Sequence, residues 1–465
     1  MRKSHVSDHS FMNRSSRRSF IKSGATLAGA ALAPNLLFGQ QKKPAELQVA
    51  AIGCNGKGLS DITEIAGGNR IAFLCDVDAN YAGEARSRFP EAKFFQDYRE
   101  MFAEVADKID VVTVSTPDHM HFPIALEAIR RGKPIMLQKP LCNSLWETRA
   151  LSNFAKQKGV LTVMGNQGAT FTGTRLLREW IESGLIGEVT DVHYWTNRPA
   201  GLWAQGPGLQ FSAEPVPSHL RWDLWQGSVA TERAYNSKIH PFGWRGFWDY
   251  GCGALGDIGC HAFNGAFWAL DLRGDFVVEP VELSEADETI APLHSKVLYH
   301  FPAKGDRAAL KIHWQDGIAD PNKDPAFVRP PGIPADLKLN EDCGQVYVGT
   351  EGVIYIADMY GRGAPMLFDD KLKAKSRTIK KSYERIAGGP TQELCRAIRG
   401  EGEKPVSNFI DHAGPLTEII LAGNLAVRMR RKIDWDSAGM EARGVPEARA
   451  LMKRNYRAGW EPNLG

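Results

Sequence analysis

The chain has 465 residues, 43% apolar and 24% charged, a balance that suits two or three folded globular domains and excludes a disordered or disulfide-built protein. Its formal net charge of +3 is misleading, because Arg2, Lys3, Arg14, Arg17, Arg18 and Lys22 crowd the first 40 residues against Asp8 alone. The remainder is slightly acidic and offers no extended basic face for a nucleic acid.

The first legible segment is Ser16-Arg17-Arg18-Ser19-Phe20-Ile21-Lys22, followed by a weakly apolar run from Ser23 to Phe38. It resembles a twin-arginine export signal, an address read by a translocase. The run is too rich in Gly and Ala to span a bilayer, which takes about 20 strongly apolar residues. Residues 1–40 are therefore set apart as signal and linker. Ala31-Leu32-Ala33 competes with a site near Gly39 for cleavage, and the mature chain is expected to begin between Pro34 and Lys43, in the periplasm or otherwise outside the cytoplasm.

From residue 45 to 167, short apolar runs alternate with amphipathic helical patterns. Leu47–Ile52, Arg70–Cys75, Ala92–Phe95, Asp110–Ser115, Pro134–Leu137 and Val160–Met164 read as strands. Such alternation predicts right-handed crossovers and a parallel sheet, an α/β architecture. The first strand runs into Gly53-Cys54-Asn55-Gly56-Lys57-Gly58, a variant of the glycine-rich turn that cradles a pyrophosphate. Asn55 stands where a glycine is usual, and Asn is the non-glycine residue that best tolerates positive φ. The second strand ends at Asp76, about 20 residues on, where a carboxylate would bind a ribose and repel a 2′-phosphate, so NAD is expected rather than NADP.

Ligands of open parallel sheets lie beyond the carboxyl ends of the strands. That places Thr116-Pro117-Asp118-His119-Met120-His121 after the fourth strand and Gln138-Lys139-Pro140 after the fifth, with Asn166 after the sixth, beside the cofactor. Among these, Thr116, Pro117, His121, Gln138, Lys139 and Asn166 are the expected cofactor contacts. His119 and His121 read equally well as helix-start residues. Farther on, Val189–Thr196, Lys296–Phe301, Ala309–Trp314 and Gln345–Val348 read as strands, and Ile410–Arg430 as a long helix.

Gly53 to Gly58, Asp76, Thr116 to His121 and Lys139-Pro140, together with His240-Pro241-Phe242-Gly243-Trp244-Arg245-Gly246-Phe247-Trp248-Asp249 and Gly253 to His261, resemble the Gfo/Idh/MocA family of glucose-fructose oxidoreductase and inositol dehydrogenase. The resemblance implies an N-terminal Rossmann domain and, over 168–465, an α+β domain with a large open, mainly antiparallel sheet, its C-terminal helix packing back toward the first domain. It also implies a homodimer or homotetramer. Where the family usually carries Glu-Lys-Pro, this chain has Gln138-Lys139-Pro140, and loss of the carboxylate is expected to let Lys139 deprotonate more easily.

Oxidation of a secondary alcohol needs a base within about 3 Å of the hydroxyl. With the resemblance, His261 is assigned as acid/base, Asp257 as its orienter or a substrate ligand, and Lys139 as a proton relay or electrostatic group. Asp257 and His261, four residues apart, share one face if the segment is helical. By themselves they read as a helix cap and a buried histidine. His240, Trp244 and Arg245 are candidate substrate contacts within a run of aromatics, Trp222, Trp225, Tyr235, Trp244, Phe247, Trp248 and Tyr250, most of which should be core. No metal-ligand spacing occurs and no metal is expected.

The expected function is thus an exported NAD(P)-dependent oxidoreductase acting on a sugar, polyol or glycoside with a tightly held cofactor. A glycoside hydrolase or lyase working by transient oxidation, elimination and re-reduction stays open. So does a noncatalytic sugar-binding protein, which would lack the set Lys139, Asp257 and His261.

Overall fold

A computed structural model of the chain describes residues 45–209 and 211–464. The twin-arginine segment lies outside the described residues.

The first domain is a six-stranded parallel sheet in the order β3-β2-β1-β4-β5-β6, built from β1 (Gln48–Ile52), β2 (Arg70–Cys75), β3 (Lys93–Phe95), β4 (Val111–Val114), β5 (Ile135–Leu137) and β6 (Thr162–Met164). Helices α1 (Lys57–Ile65), α2 (Gly83–Arg88), α3 (Tyr98–Val105), α4 (His121–Arg130) and α5 (Leu145–Lys158) make the crossovers. Both faces of the sheet are covered, so its central strands are almost wholly apolar: Val49 to Ile52 and Val111 to Val114 are buried at every position. The strand order reverses between β1 and β4, which leaves a crevice at their carboxyl ends for a ligand. Gly53 makes the turn out of β1 at φ +86°, and a Cβ there would lie 2.4 Å from the Ser115 carbonyl oxygen.

The second domain holds a nine-stranded mixed sheet in the order β13-β12-β11-β7-β10-β9-β8-β14-β15. Its strands are β7 (Val189–Thr196), β8 (Phe276–Leu283), β9 (Ser295–Phe301), β10 (Leu310–Asp316), β11 (Cys343–Gly349), β12 (Val353–Ile356), β13 (Met366–Leu367), β14 (Ile433–Asp436) and β15 (Glu441–Ala442). Only the β7–β10 pair is parallel. The fold class is therefore the expected one. Four strand readings coincide with β7, β9, β10 and β11, whereas β8 and β12 to β15 went unread. The edge strands β13 and β15 are only two residues long, and β8 carries Pro280 at a register shift, which breaks its alternation.

One face of this sheet buries Tyr194, Tyr299, Trp314 and Tyr347 beneath α8 (Gly253–Leu270), with α6 (Thr172–Glu182) alongside. The remaining helices are α7 (Trp222–Gln226), α9 (Asp370–Ser376), α10 (Gly389–Arg399), α11 (Gly414–Met429) and α12 (Arg449–Met452). Leu394, Cys395 and Ile398 of α10 join the core of the first domain with Val49, Ala51 and Ile62. Helix α11 packs on α8 and α5 together, and so braces the helix that carries Asp257 and His261 against the first domain.

Candidate active site

A cavity of about 360 Å³ runs along the carboxyl ends of β1, β2, β4 and β5 and is closed on the far side by α8 and the aromatic segment before it. Gly53, Asn55, Gly56, Lys57, Asp76, Thr116, Pro117, Gln138, Lys139, His240, Trp244, Arg245, Asp257 and His261 all border it. Gly58, His121 and Asn166 stand behind the wall.

At the glycine-rich turn the positive φ falls on Gly53 and Gly56, not on Asn55. Asn55 works through its side chain: the amide nitrogen donates to the Tyr81 carbonyl at 2.5 Å and its oxygen accepts from the Gly56 N–H at 2.6 Å. Gly58 serves packing, since a Cβ there would meet the Gly53 carbonyl oxygen at 2.1 Å. Helix α1 starts at Lys57 with no side-chain cap, so its N-terminal dipole faces the cavity unneutralised. The Lys57 ammonium bonds to Asp61 one turn on.

The Asp76 carboxylate accepts from the backbone N–H of Cys54 at 2.8 Å and of Asp78 at 3.0 Å. Burial outweighs those donors and raises it to about 6. Asn55, Lys57 and Asp76 thus fit a dinucleotide as a set: a helix N-terminus and an ammonium for a pyrophosphate, and a carboxylate for a ribose.

His121 belongs to the scaffold. Its ring is fully buried, with Nδ1 2.8 Å from the Pro140 carbonyl oxygen and Nε2 3.0 Å from that of Thr116, and burial lowers it to about 4. Neutral, the ring donates to one of these two carbonyls at a time, and it packs between the loops after β4 and β5. The expected direct cofactor contact is replaced by this one.

At the other end of the cavity Lys139 Nζ donates to Asp257 Oδ1 at 2.7 Å and to the Asp257 carbonyl oxygen at 3.0 Å. Burial pulls the lysine down, but the carboxylates of Asp257 and Asp118 outweigh it and hold it above the usual lysine range. This corrects the expectation of easier deprotonation. Gln138 removes no partner from Lys139; its amide donates to Asp61 at 2.8 Å, where the Ser115 hydroxyl also donates at 2.8 Å. A glutamate at 138 would face the buried Asp61 carboxylate.

Asp257 is held at about 2: burial alone would raise it, but Lys139 and Arg245 overcome that. It pairs with those two cations and makes no hydrogen bond to His261 among the described residues. Asn166 orients the histidine instead. Its amide nitrogen donates to the Cys260 carbonyl at 2.7 Å, which turns Oδ1 toward His261 Nδ1 at 3.1 Å. Nδ1 must then carry the proton, and Nε2 keeps its lone pair with no partner among the described residues. Burial, reinforced by Lys139, places His261 well below the ordinary histidine range, so the ring is neutral at neutral pH.

Two residues passed over in the sequence complete this end. Asp118 is buried, with Oδ2 unpartnered among the described residues, and burial raises it to about 7 against the pull of Lys139. It stands within the Thr116–His121 string, where the histidines drew attention. Tyr360 packs its ring 4.6 Å from His261, and nothing in its sequence surroundings marks it. Arg245 lies between the rings of Phe242 and Trp244, 3.9 and 4.3 Å from their centroids, and His240 Nε2 bonds to Asp78 at 3.0 Å. Trp222, Trp225, Tyr235, Trp244, Phe247 and Tyr250 form a cluster of their own, of which Trp225 and Trp244 reach the cavity. Away from it, Asp191, His193 and His313 meet on neighbouring strands. The two imidazoles stack face to face, 4.2 Å apart and 5° from parallel, so their in-plane lone pairs do not converge on one ion.

Residues 47–166 match the oxidoreductase family described as an NAD-binding Rossmann fold, and 173–301 its C-terminal alpha/beta domain. The chain belongs to the Gfo/Idh/MocA family. Levoglucosan dehydrogenase of Pseudarthrobacter phenanthrenivorans is 28% identical over 204 residues, 44% of this chain and 42% of that one. Inositol 2-dehydrogenase of Burkholderia multivorans is 29% identical over 205 residues, 41% of this chain and 58% of its own. The chain therefore matches only about half the length of these curated relatives. The WlbA dehydrogenase of Bordetella pertussis, solved with NADH and UDP-GlcNAcA, superposes with a TM-score of 0.55 over 84% of this chain and 98% of that one at 14% identity, which shows a common fold. Lys139, Asp257 and His261 border the same end of the cavity, Lys139 paired with Asp257.

Proposed function

We propose that the protein oxidises a secondary hydroxyl of a sugar, polyol or glycoside, or reduces the corresponding ketone, with a tightly held NAD. The observation that carries this reading is the Asn166–His261 hydrogen bond, which leaves Nε2 as a neutral base facing a cavity whose other end holds Asp76. Asn55, Lys57 and Asp76 would hold the dinucleotide, which supplies the hydride acceptor or donor. His261 Nε2 takes the hydroxyl proton. Lys139, kept cationic by Asp257 and Asp118, donates a hydrogen bond to the same oxygen and stabilises its developing negative charge. Trp244 and Arg245 border the space left for a sugar ring.

Asp118 favours a second reading, redox-neutral cleavage of a glycoside. Elimination requires one group to remove a C–H proton and another to protonate the leaving oxygen, and a carboxyl near 7 can do the latter at neutral pH.

Mass spectrometry of the ligand released on denaturation, followed by a screen of sugars and aryl glycosides, tests both. Replacing Lys139 or His261 with Ala should lower turnover by about 10²–10⁴-fold while leaving the bound dinucleotide in place; unchanged rates would refute the assignment. Steady glycoside turnover at constant reduced-nicotinamide absorbance would select the cleavage reading. Export by the twin-arginine route and assembly into a homo-oligomer belong to the same proposal. Arg17→Lys with Arg18→Lys should leave the protein in the cytoplasm.

A further inference from the structure

The segment after α12 returns to the first domain and is pinned along its way. Arg454 Nε donates to Glu147 Oε1 at 2.8 Å, and its Nη2 to the His119 carbonyl at 2.6 Å and to Ser228 Oγ at 2.8 Å. The Tyr456 hydroxyl donates to the same Glu147 oxygen at 2.7 Å, and Glu147 on α5 is wholly buried. Arg457 adds a bond from its backbone N–H to the Ser228 carbonyl at 3.2 Å and one from Nη2 to the Asp223 carbonyl at 2.7 Å. These anchors lie on both domains, so the segment is a strap across them.

The strap ends in a turn, Trp460 N–H to the Arg457 carbonyl at 2.9 Å, that sets the indole against α3. Its ring lies 4.4 Å from the Arg99 guanidinium and 6.4 Å from the Tyr98 ring. Trp460, Tyr98, Ile124 and Leu224 border the same cavity as Asp76. Tyr98, and Trp460 packed on it, lie on Asp76's side of it, because the chain at 76–77 is bonded to the chain at 95–96: Asp76 N–H to the Phe95 carbonyl at 3.1 Å, Gln96 Nε2 to the Val77 carbonyl at 3.0 Å. The space beside that carboxylate is thus bordered by two aromatic side chains, Tyr98 and Trp460, with Gln96 and Asp97 at its polar edge, and one of the aromatic walls is supplied by the strap.

We propose that Trp460 is the outer wall of an adenine subsite, and that the strap holds the dinucleotide by closing over its adenosine half. The inference rests on the dinucleotide reading above. A planar purine gains by stacking on an indole. Its escape then requires the strap to lift, and lifting it strips the buried Glu147 of Arg454 and Tyr456 together.

The test compares the full chain, stripped of ligand, with Trp460→Ala and Trp460→Phe for calorimetric binding of NAD, ADP-ribose and nicotinamide mononucleotide, and for the rate of NAD release. Loss of one base–aromatic stack should weaken NAD and ADP-ribose by about 10- to 100-fold, speed release similarly, and leave the mononucleotide unchanged, with Phe restoring most of the loss. Should Trp460→Ala lower the melting temperature, Trp460→Leu gives the same reading with the apolar contact to Tyr98 kept. Equal affinities in wild type and variants overturn the strap alone. Equal weakening of all three ligands also overturns it, as general loosening. Failure of the wild type to bind NAD or ADP-ribose removes the dinucleotide reading and the strap with it.

Discussion

Gln138 illustrates how a single residue is set by one that sequence cannot place beside it. Asp61 sits one turn into α1, buried, with Lys57, Ser115 and Gln138 all donating to its carboxylate. Burial raises its proton affinity and the Lys57 ammonium lowers it, so the site tolerates one carboxylate because every other group there is a donor. A second carboxylate would have to take up a proton or repel the first. Gln138→Glu should therefore cost about 2–4 kcal/mol at pH 7, the work of keeping a glutamic acid protonated some units above its ordinary range. Urea unfolding measures this, and adding Asp61→Asn should recover most of the loss. If Gln138→Glu unfolds at the wild-type midpoint, the two side chains do not share the site in solution. By contrast, Asp76 and the turn at Gly53 were legible directly, since strand, glycine and carboxylate recur at fixed spacing along one unit. Asp118 was visible in its string but unranked, because what distinguishes it is the company of Lys139, Asp257 and Cys252, all far along the chain.

At the scale of elements, α8 decides the chemistry by where it lies. Asp257 and His261 face the cavity one turn apart, and the helix reaches its place only because small residues let α11 and the sheet come close. Gly423 of α11 leaves no room for a methyl group: a Cβ would meet the Tyr299 hydroxyl oxygen at 1.8 Å and its Cζ at 2.9 Å. Tyr299 is itself completely buried in the same core as Phe263 of α8, so it has nowhere to retreat. Gly423→Ala should thus destabilise the protein by about 1–3 kcal/mol through overpacking. It should also lower turnover more than dinucleotide affinity, because α8 shifts while the turn after β1 stays put. A wild-type melting temperature in this variant would contradict the packing. The helical spacing of Asp257 and His261 was readable from sequence; the partner of each was not. Four-residue spacing suggested that they act on each other, whereas tertiary packing gives Asp257 to Lys139 and His261 to Asn166. The short edge strands β13 and β15 escaped for a similar reason: two residues carry no alternation to read, and their place is fixed by the strands beside them.

Across the whole molecule, the Lys139–Asp257 pair joins the two domains at the point where the proposed reaction occurs, and its electrostatics should appear in the pH dependence of stability. Asp257 titrates at about 2 in the folded protein, below its ordinary 3.8, because Lys139 and Arg245 overcome the effect of burial. A carboxylate with a depressed folded value stabilises the fold fully above its unfolded value, and that stabilisation drains away as pH falls through the folded one. For this residue the window runs from about pH 4 down to about pH 2. Asp257→Asn keeps the shape and part of the hydrogen bonding but discards the charge, leaving a buried ammonium with Asp118 as its remaining carboxylate neighbour. At pH 6 the variant should be less stable than wild type by about 3–5 kcal/mol, the range for removing one member of a buried pair. The gap should narrow as pH is lowered from 4 to 2, since the wild type then loses by protonation what the variant lacks already. Turnover supplies the independent check. With Asp257 neutral, burial gains ground over the remaining carboxylate, the Lys139 ammonium releases its proton more readily, and the alkaline limb of the pH–rate profile moves to lower pH. A gap in stability that stays constant down to pH 2, with an unmoved alkaline limb, would mean that the two charges do not meet across the domains.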